Sequence, residues 1–153
     1  TTEIYTLSLH DALPIYNFAR MKGVKMSKVK IHIHLKNKEI KEDYETIGIY
    51  DRTQKILKWQ HLDFNQNTLY LFDWKTKCLI RENKEIKMIL TFIEKQDKIT
   101  NCKFKEFDHS VPLTLQIEQL QEDAKSFSVI YDQKILDQFD EANEFAIKFQ
   151  EIE

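Results

Sequence analysis

The chain has 153 residues, enough for one domain with a substantial core. Its 23 basic and 25 acidic residues are mixed along the chain and leave a formal net charge of −2, which offers no basic stripe to nucleic acid and no polybasic segment to a membrane. No run approaches the roughly 18 consecutive apolar residues of a transmembrane helix. With two glycines and two prolines in all, turns must rest on Asn, Asp and Lys, and longer or less regular loops are expected.

Residues 1–20 do not match the rest of the chain. Thr2 to Ile15 reads like a translated sequencing adapter, and it lacks the basic start and continuous apolar stretch of a targeting signal. Residues 1–25 are therefore expected to be a non-native or disordered extension. Met21 or Met26 is the expected native start, and 26–153 the folded domain.

From Val29 the pattern is period two. Val29, Ile31, Ile33 and Leu35 alternate with Lys30, His32, His34 and Lys36, which predicts a strand with one buried and one solvated face. A turn near Asn37-Lys38 leads to Ile40–Tyr50, where Tyr44, Thr46, Gly48 and Tyr50 share a face. A glycine inside a strand marks a bulge, a bend or the close approach of another group. Asp51 to Gln54 turns again, and Ile56–His61 and Thr68–Trp74 come next, separated by Asp63 to Asn67.

Cys78 to Arg81 precedes the most regular unit, Ile86 to Phe107. There Ile86, Met88, Leu90 and Phe92 fall on one face, Lys95-Gln96-Asp97 supplies a reversal, and Cys102 and Phe104 return. Val111, Leu113, Leu115 and Ile117 make a further strand in which Pro112 must lie at the start or an edge. Gln121 to Ala124 is a polar link to Phe127, Val129 and Tyr131. Over Lys134–Glu141 a helical turn competes, because Ile135, Leu136 and Phe139 have helical spacing. Phe145, Ile147 and Phe149 close the chain. The sum is an all-β domain, a single antiparallel barrel of about eight to ten strands.

The succession Gly48-Ile49-Tyr50, Leu79-Ile80-Arg81, Met88 with Phe92, Phe107-Asp108, Leu113 with Leu115 and Phe127 to Tyr131 resembles the YwiB-like family over about Lys28 to Gln150. These are bacterial proteins of unknown function with a calycin-type (lipocalin-like) barrel. The chain departs from the family pattern at Asn83 and Asp108, where glycine is usual, and at Gln119, where threonine is. The resemblance implies a cytoplasmic barrel and supplies no catalytic residue.

Four features bear on chemistry. His32 and His34 stand two apart on one strand face, as two imidazoles offered to a metal would, with His61 or His109 as a third; flanking Lys30 and Lys36 argue instead for a solvated surface and against a bound metal. Arg81, in an apolar segment, is either a fixed cation at the barrel mouth for a carboxylate or phosphate, or the partner of Glu94 or Glu106. Tyr50 and Tyr131 are the aromatic residues assigned with Arg81 to ligand binding. The many rings fill a small barrel or line a pocket; a hollow interior favours a small ligand, and a filled one a partner surface.

Cys78 and Cys102 with no export signal fit a reducing, cytoplasmic setting, and bridge only if they share a face. No Gly-rich phosphate loop, Gly-x-Ser-x-Gly elbow or Cys-x-x-Cys is present, and no cofactor is implied. The expected role is non-enzymatic binding of a small apolar or anionic molecule or of a protein partner, with an enzyme site at the mouth around Arg81 as the alternative.

Overall fold

The computed structural model describes residues 26–93 and 97–152. The extension at 1–25 and the reversal at Lys95-Gln96 lie outside the described residues. Ten strands succeed one another: β1 (Met26–Lys36), β2 (Lys41–Asp51), β3 (Ile56–Asp63), β4 (Gln66–Asp73), β5 (Cys78–Glu82), β6 (Ile86–Thr91), β7 (Asp97–Phe104), β8 (His109–Glu122), β9 (Ser126–Ile135) and β10 (Gln138–Glu151). Each pairs antiparallel with its neighbour in the chain, and β1 pairs with β10 to close a barrel. Closure pairs every described strand on both sides, though β2 and β3 share only a short ladder of three residue pairs.

Alternation dictates which side of the wall each residue takes. Ile31, Ile33 and Leu35 face inward opposite Phe149, Ile147 and Phe145, while Lys30, His32, His34 and Lys36 face outward. The wall is thus apolar inside and polar outside, the reverse of a membrane-spanning barrel. Among the described residues no helix is long and apolar enough to cross a membrane.

One half of the interior is filled with rings. Phe72 contacts Phe127 at 5.0 Å, Trp74 at 5.2 Å and Phe145 at 5.7 Å between ring centroids, and Phe92 reaches Tyr131 at 5.2 Å. Trp74 and Tyr50 both meet Phe149, which plugs the end at which β2 turns into β3.

The turns are shorter than the glycine count suggests. Asn37, Asp51, Asp73, Asn83 and Asp123 each use a side-chain oxygen to accept the backbone N–H groups two and three residues on. The carboxyl or amide thus does what a glycine turn does through backbone freedom. Asn83, where the resembled family has glycine, is one of the five. Lys55 and Lys77 close two of these turns with positive φ. The expected five-residue link Asp63–Asn67 is a two-residue reversal, Phe64-Asn65, with φ of 49° and 63°, a combination that suits the twist of a tight hairpin.

The helical turn weighed for Lys134–Glu141 is not formed. Gln138 pairs directly with Ile135 across Leu136-Asp137, with Leu136 at φ 55°, so the apolar spacing there belongs to a hairpin tip. The only helical element among the described residues is a 3-10 turn at Lys105–Phe107. Pro112 lies near the start of β8, opposite Asn101.

Gly48 is explained by close approach. A Cβ there would stand 2.4 Å from the Lys58 carbonyl oxygen and 2.5 Å from Ile31 Cδ1. β2 and β3 pair only at Asp51/Ile56, Tyr50/Leu57 and Ile49/Lys58. Beyond Gly48 no backbone ladder joins them, and side chains take over the seam.

Candidate functional site

That unladdered seam opens into the polar end of the interior. Extending the alternation of Leu57 and Trp59 along β3 brings His61 and Asp63 inward; the same rule on β2 brings in Tyr44 and Glu42, on β4 Tyr70, and on β5 Arg81. All six sit toward the end at which β1, β3, β5 and β9 finish and β2, β4, β6 and β10 begin, because neighbouring strands run in opposite directions.

Asp63 is the centre of the group and is only 3% exposed. Its Oδ2 accepts a hydrogen bond from the Tyr70 hydroxyl and another, at 3.1 Å, from Arg81 Nη2. A buried carboxylate is tolerable only when paired and hydrogen-bonded, and this one has both kinds of partner on a single oxygen. Oδ1 has none. It faces His61 Nε2 at 3.8 Å, and the same nitrogen lies 3.3 Å from Glu42 Oε2. That shorter approach lacks hydrogen-bond alignment, since Glu42 Oε2 is buried without a hydrogen-bond partner, as is Arg81 Nε.

The imidazole is held in place. The Tyr44 ring stacks on it at 3.6 Å with 5° between planes, and the Tyr44 hydroxyl accepts a hydrogen bond from Trp59 Nε1 at 3.2 Å. Trp59 in turn stacks on Tyr70 at 5.2 Å. Tyr70 is pushed well above its ordinary pKa, first by burial, with Arg81 opposing and Asp63 adding to the rise. Burial likewise drives Tyr44 up, against its hydrogen bond with Trp59. Burial also works against the Arg81 charge, but Tyr70 and Asp63 outweigh it and the guanidinium is held more firmly protonated than usual. The cluster is therefore a fixed cation, two neutral phenols, an imidazole and two carboxylates, with Arg81 still 30% exposed to solvent.

The residues singled out by sequence divide among three places. Arg81 is at this centre, paired with Asp63 rather than with Glu106; Glu94 lies outside the described residues. Tyr131 is buried on the inner wall among the rings, and burial pushes its hydroxyl up to about 12, with Arg81 pulling it down. Tyr50 belongs to the opposite end, against Phe149. The three do not form one site.

His32 and His34 are on the outer wall and share Asp43: His32 Nε2 lies 2.6 Å from Oδ1, and His34 Nδ1 3.3 Å from Oδ2. His34 also reaches Glu144 at 3.3 Å. The His34 imidazole, against an opposing effect of desolvation and with help from His32, holds the Asp43 carboxyl below the usual range. Among the described residues, the ligand atoms that converge as a metal would require are those of Glu42, His61 and Asp63, not of His32 and His34. The two grooves beside these outer imidazoles are open surface depressions between β8, β9, β10 and β1. Cys78 faces outward and Cys102 inward, and both are free.

Sequence reasoning missed Glu42, His61 and Asp63 as inward residues. The available signal was the period-two rule carried past the apolar residues into the polar ones at the strand ends.

No protein-family model matches the chain, and a search of curated proteins finds no match. Among solved structures, the chain is similar to the crystal structure of the ywiB protein from Bacillus subtilis, with a TM-score of 0.56 and 12% identity over 88% of this chain and 99% of that one. At that identity the likeness concerns the barrel alone.

Proposed function

We propose that this barrel is a non-enzymatic binding protein that takes a small polar molecule at the end lined by Glu42, His61, Asp63, Tyr70 and Arg81. One observation carries the reading: in a barrel otherwise filled with rings, Asp63 Oδ1, Glu42 Oε2 and Arg81 Nε are buried at this end without hydrogen-bond partners. Each such orphan costs about 1–3 kcal/mol, and a ligand offering both donors and an acceptor would recover it. The filled apolar half argues against an enclosed apolar guest. Calycin-type barrels, the finer class that the sequence resembles, recur as scaffolds for such sites. Two unbridged thiols on opposite faces of the wall suit the reducing cytoplasm of a bacterium.

The test is retention and recognition. Native mass spectrometry of the purified full chain, followed by a thermal-shift screen of small carboxylates, phosphates and amines, should find ligands that stabilise the wild type and not Arg81→Met. If no small molecule is retained and none discriminates the two proteins, the reading is wrong.

A second reading, a protein partner at the same rim, draws on Phe64, Leu136 and Phe107, which are 71%, 66% and 74% exposed on connections at this end. It would be favoured if Phe64→Ser abolished co-purification of a defined partner while leaving stability unchanged.

A further inference from the structure

We infer that Glu42, His61 and Asp63 form a binding site for a first-row divalent cation, one that uses Asp63 Oδ1, Glu42 Oε2 and His61 Nε2. This deepens the proposed binding function, on which it rests, by naming the occupant of the same end of the barrel.

The geometry is close to what a small tetrahedral centre needs. Bonds of about 2.0–2.1 Å place neighbouring ligand atoms roughly 3.4 Å apart. The His61–Glu42 approach is 3.3 Å, the His61–Asp63 approach is 3.8 Å, and all three ligand atoms fall within 4.8 Å of one another. Small side-chain adjustments close the set. A neutral imidazole protonated at Nδ1 turns its Nε2 lone pair toward both carboxylates.

Burial supplies the independent argument. Asp63 is 97% withdrawn from solvent, by its 3% exposure, yet Oδ1 is unpartnered. Its other oxygen is fixed by Tyr70 and Arg81, which aims Oδ1 at the imidazole. Outer groups that orient metal ligands in this way recur around metal centres, and here they are a phenol, a guanidinium and the Tyr44 ring stacked on His61. Glu42 and His61 are half-buried, with about a quarter of each side chain accessible, and give the cation a path in.

The donor set selects the metal. One nitrogen and two carboxylate oxygens are too few oxygens for Ca²⁺ and unlike the water-rich shell of Mg²⁺, whereas imidazole with carboxylate suits Zn²⁺, Mn²⁺ or Fe²⁺. Two carboxylates and Arg81 sum to one negative charge, which the cation would reverse. Three protein ligands leave a fourth position for water or a small anion.

Without metal, the same three residues would simply lie side by side, and the experiment separates the two. Full-length protein is stripped with a chelator and titrated with ZnCl₂ and MnCl₂ by calorimetry and thermal unfolding. Wild type should take up one equivalent, and Tm should rise by roughly 10 °C at a hundredfold excess over Kd. Orienting groups alone are worth roughly 10–100-fold in affinity, so His61→Gln should lose at least about 100-fold. The double variant His32→Gln, His34→Gln should bind as wild type, since those imidazoles lie on the outer wall.

No heat and no Tm shift in wild type, equal binding by His61→Gln, or loss of binding in the outer-wall variant would each overturn the metal assignment. Circular dichroism confirms that His61→Gln is folded. The broader ligand reading fails on different evidence. Should Arg81-dependent binding of small molecules persist without any metal uptake, only the metal falls; should both be absent, both fall.

Discussion

Replacing Gly48 with alanine tests the packing argument against a rule that points the other way. Glycine inside a strand is a poor choice, and Gly→Ala at a compatible position stabilises by about 0.4–1 kcal/mol through the unfolded chain. At Gly48 the added methyl would meet the Lys58 carbonyl oxygen at 2.4 Å, Ile31 Cδ1 at 2.5 Å and Trp59 Cβ at 3.2 Å. The first neighbour is backbone, held in the ladder by the Ile49/Lys58 pair, and cannot swing aside. Overpacking costs about 1–3 kcal/mol, and with a backbone atom as the obstacle the net loss should be about 2 kcal/mol. With an unfolding entropy of about 2.1 cal/mol/K per residue over about 130 residues, that is a Tm drop of roughly 7 °C.

Urea melts supply the assay, with a fall in midpoint at unchanged m. Adding Ile31→Val removes the Cδ1 obstacle but not the carbonyl, so the double variant should lose less than the two single losses summed. A Gly48→Ala protein as stable as wild type, or more so, would refute the claim that β2 and β3 are pinched together at this point.

Phe72→Ala, which empties the centre of the ring cluster, should cost about 3–5 kcal/mol by chemical denaturation, and a loss below 1 kcal/mol would mean the rings are not the core. Asn83→Ala leaves the N–H groups of Glu85 and Ile86 unpartnered and should cost about 1–2 kcal/mol, whereas Asn83→Asp should be near neutral; equal losses would show that the turn does not depend on that oxygen. With an aromatic disulfide reagent, Cys78 should react in the native protein and Cys102 only on unfolding, because burial raises both thiols but Cys78 is half-buried on the outer wall while Cys102 is 1% exposed; two equally fast equivalents would contradict that placement. Tyr131 holds its proton more tightly folded than unfolded, so its contribution is complete below the ordinary phenol value of about 10 and is lost as pH rises toward about 12. Stability should therefore fall through that window by a smaller amount in Tyr131→Phe than in wild type, and identical alkaline profiles would remove Tyr131 as a cause.

The barrel was legible because its cause is local. Each strand announces itself by alternation, and Val29 to Leu35, Leu113 to Ile117 and Phe145 to Phe149 are where they should be. Errors fell where a residue type stood in for another with the same geometric effect. Few glycines implied loose loops, yet Asn and Asp oxygens collect two N–H groups each and Phe64-Asn65 adopts positive φ outright. At Leu136 the spacing of apolar residues suggested a helix, but only Ile135 packs against the core, while Leu136 and Phe139 are exposed and so carry no information about a buried stripe.

The site was illegible for a different reason. Alternation is read from apolar residues, so it stops being visible where the inward positions turn polar, and His61 and Asp63 are two such positions continuing the row of Leu57 and Trp59. Arg81 could be picked out as a cation among apolar neighbours, but its partner depends on which carboxylate the barrel brings across from it. Tyr70 faces Trp59 on one side and Arg81 on the other in the strand register, which draws β3, β4 and β5 together at Asp63. Glu42 arrives by another route, across a seam with no backbone ladder, carried by the Tyr44–His61 stack. A polar centre assembled from four strands is a property of closure. The same closure that fills one end with rings has to leave the charges somewhere, and here it gathers them around Asp63, the one carboxylate among the described residues that is almost fully buried, and only half satisfied.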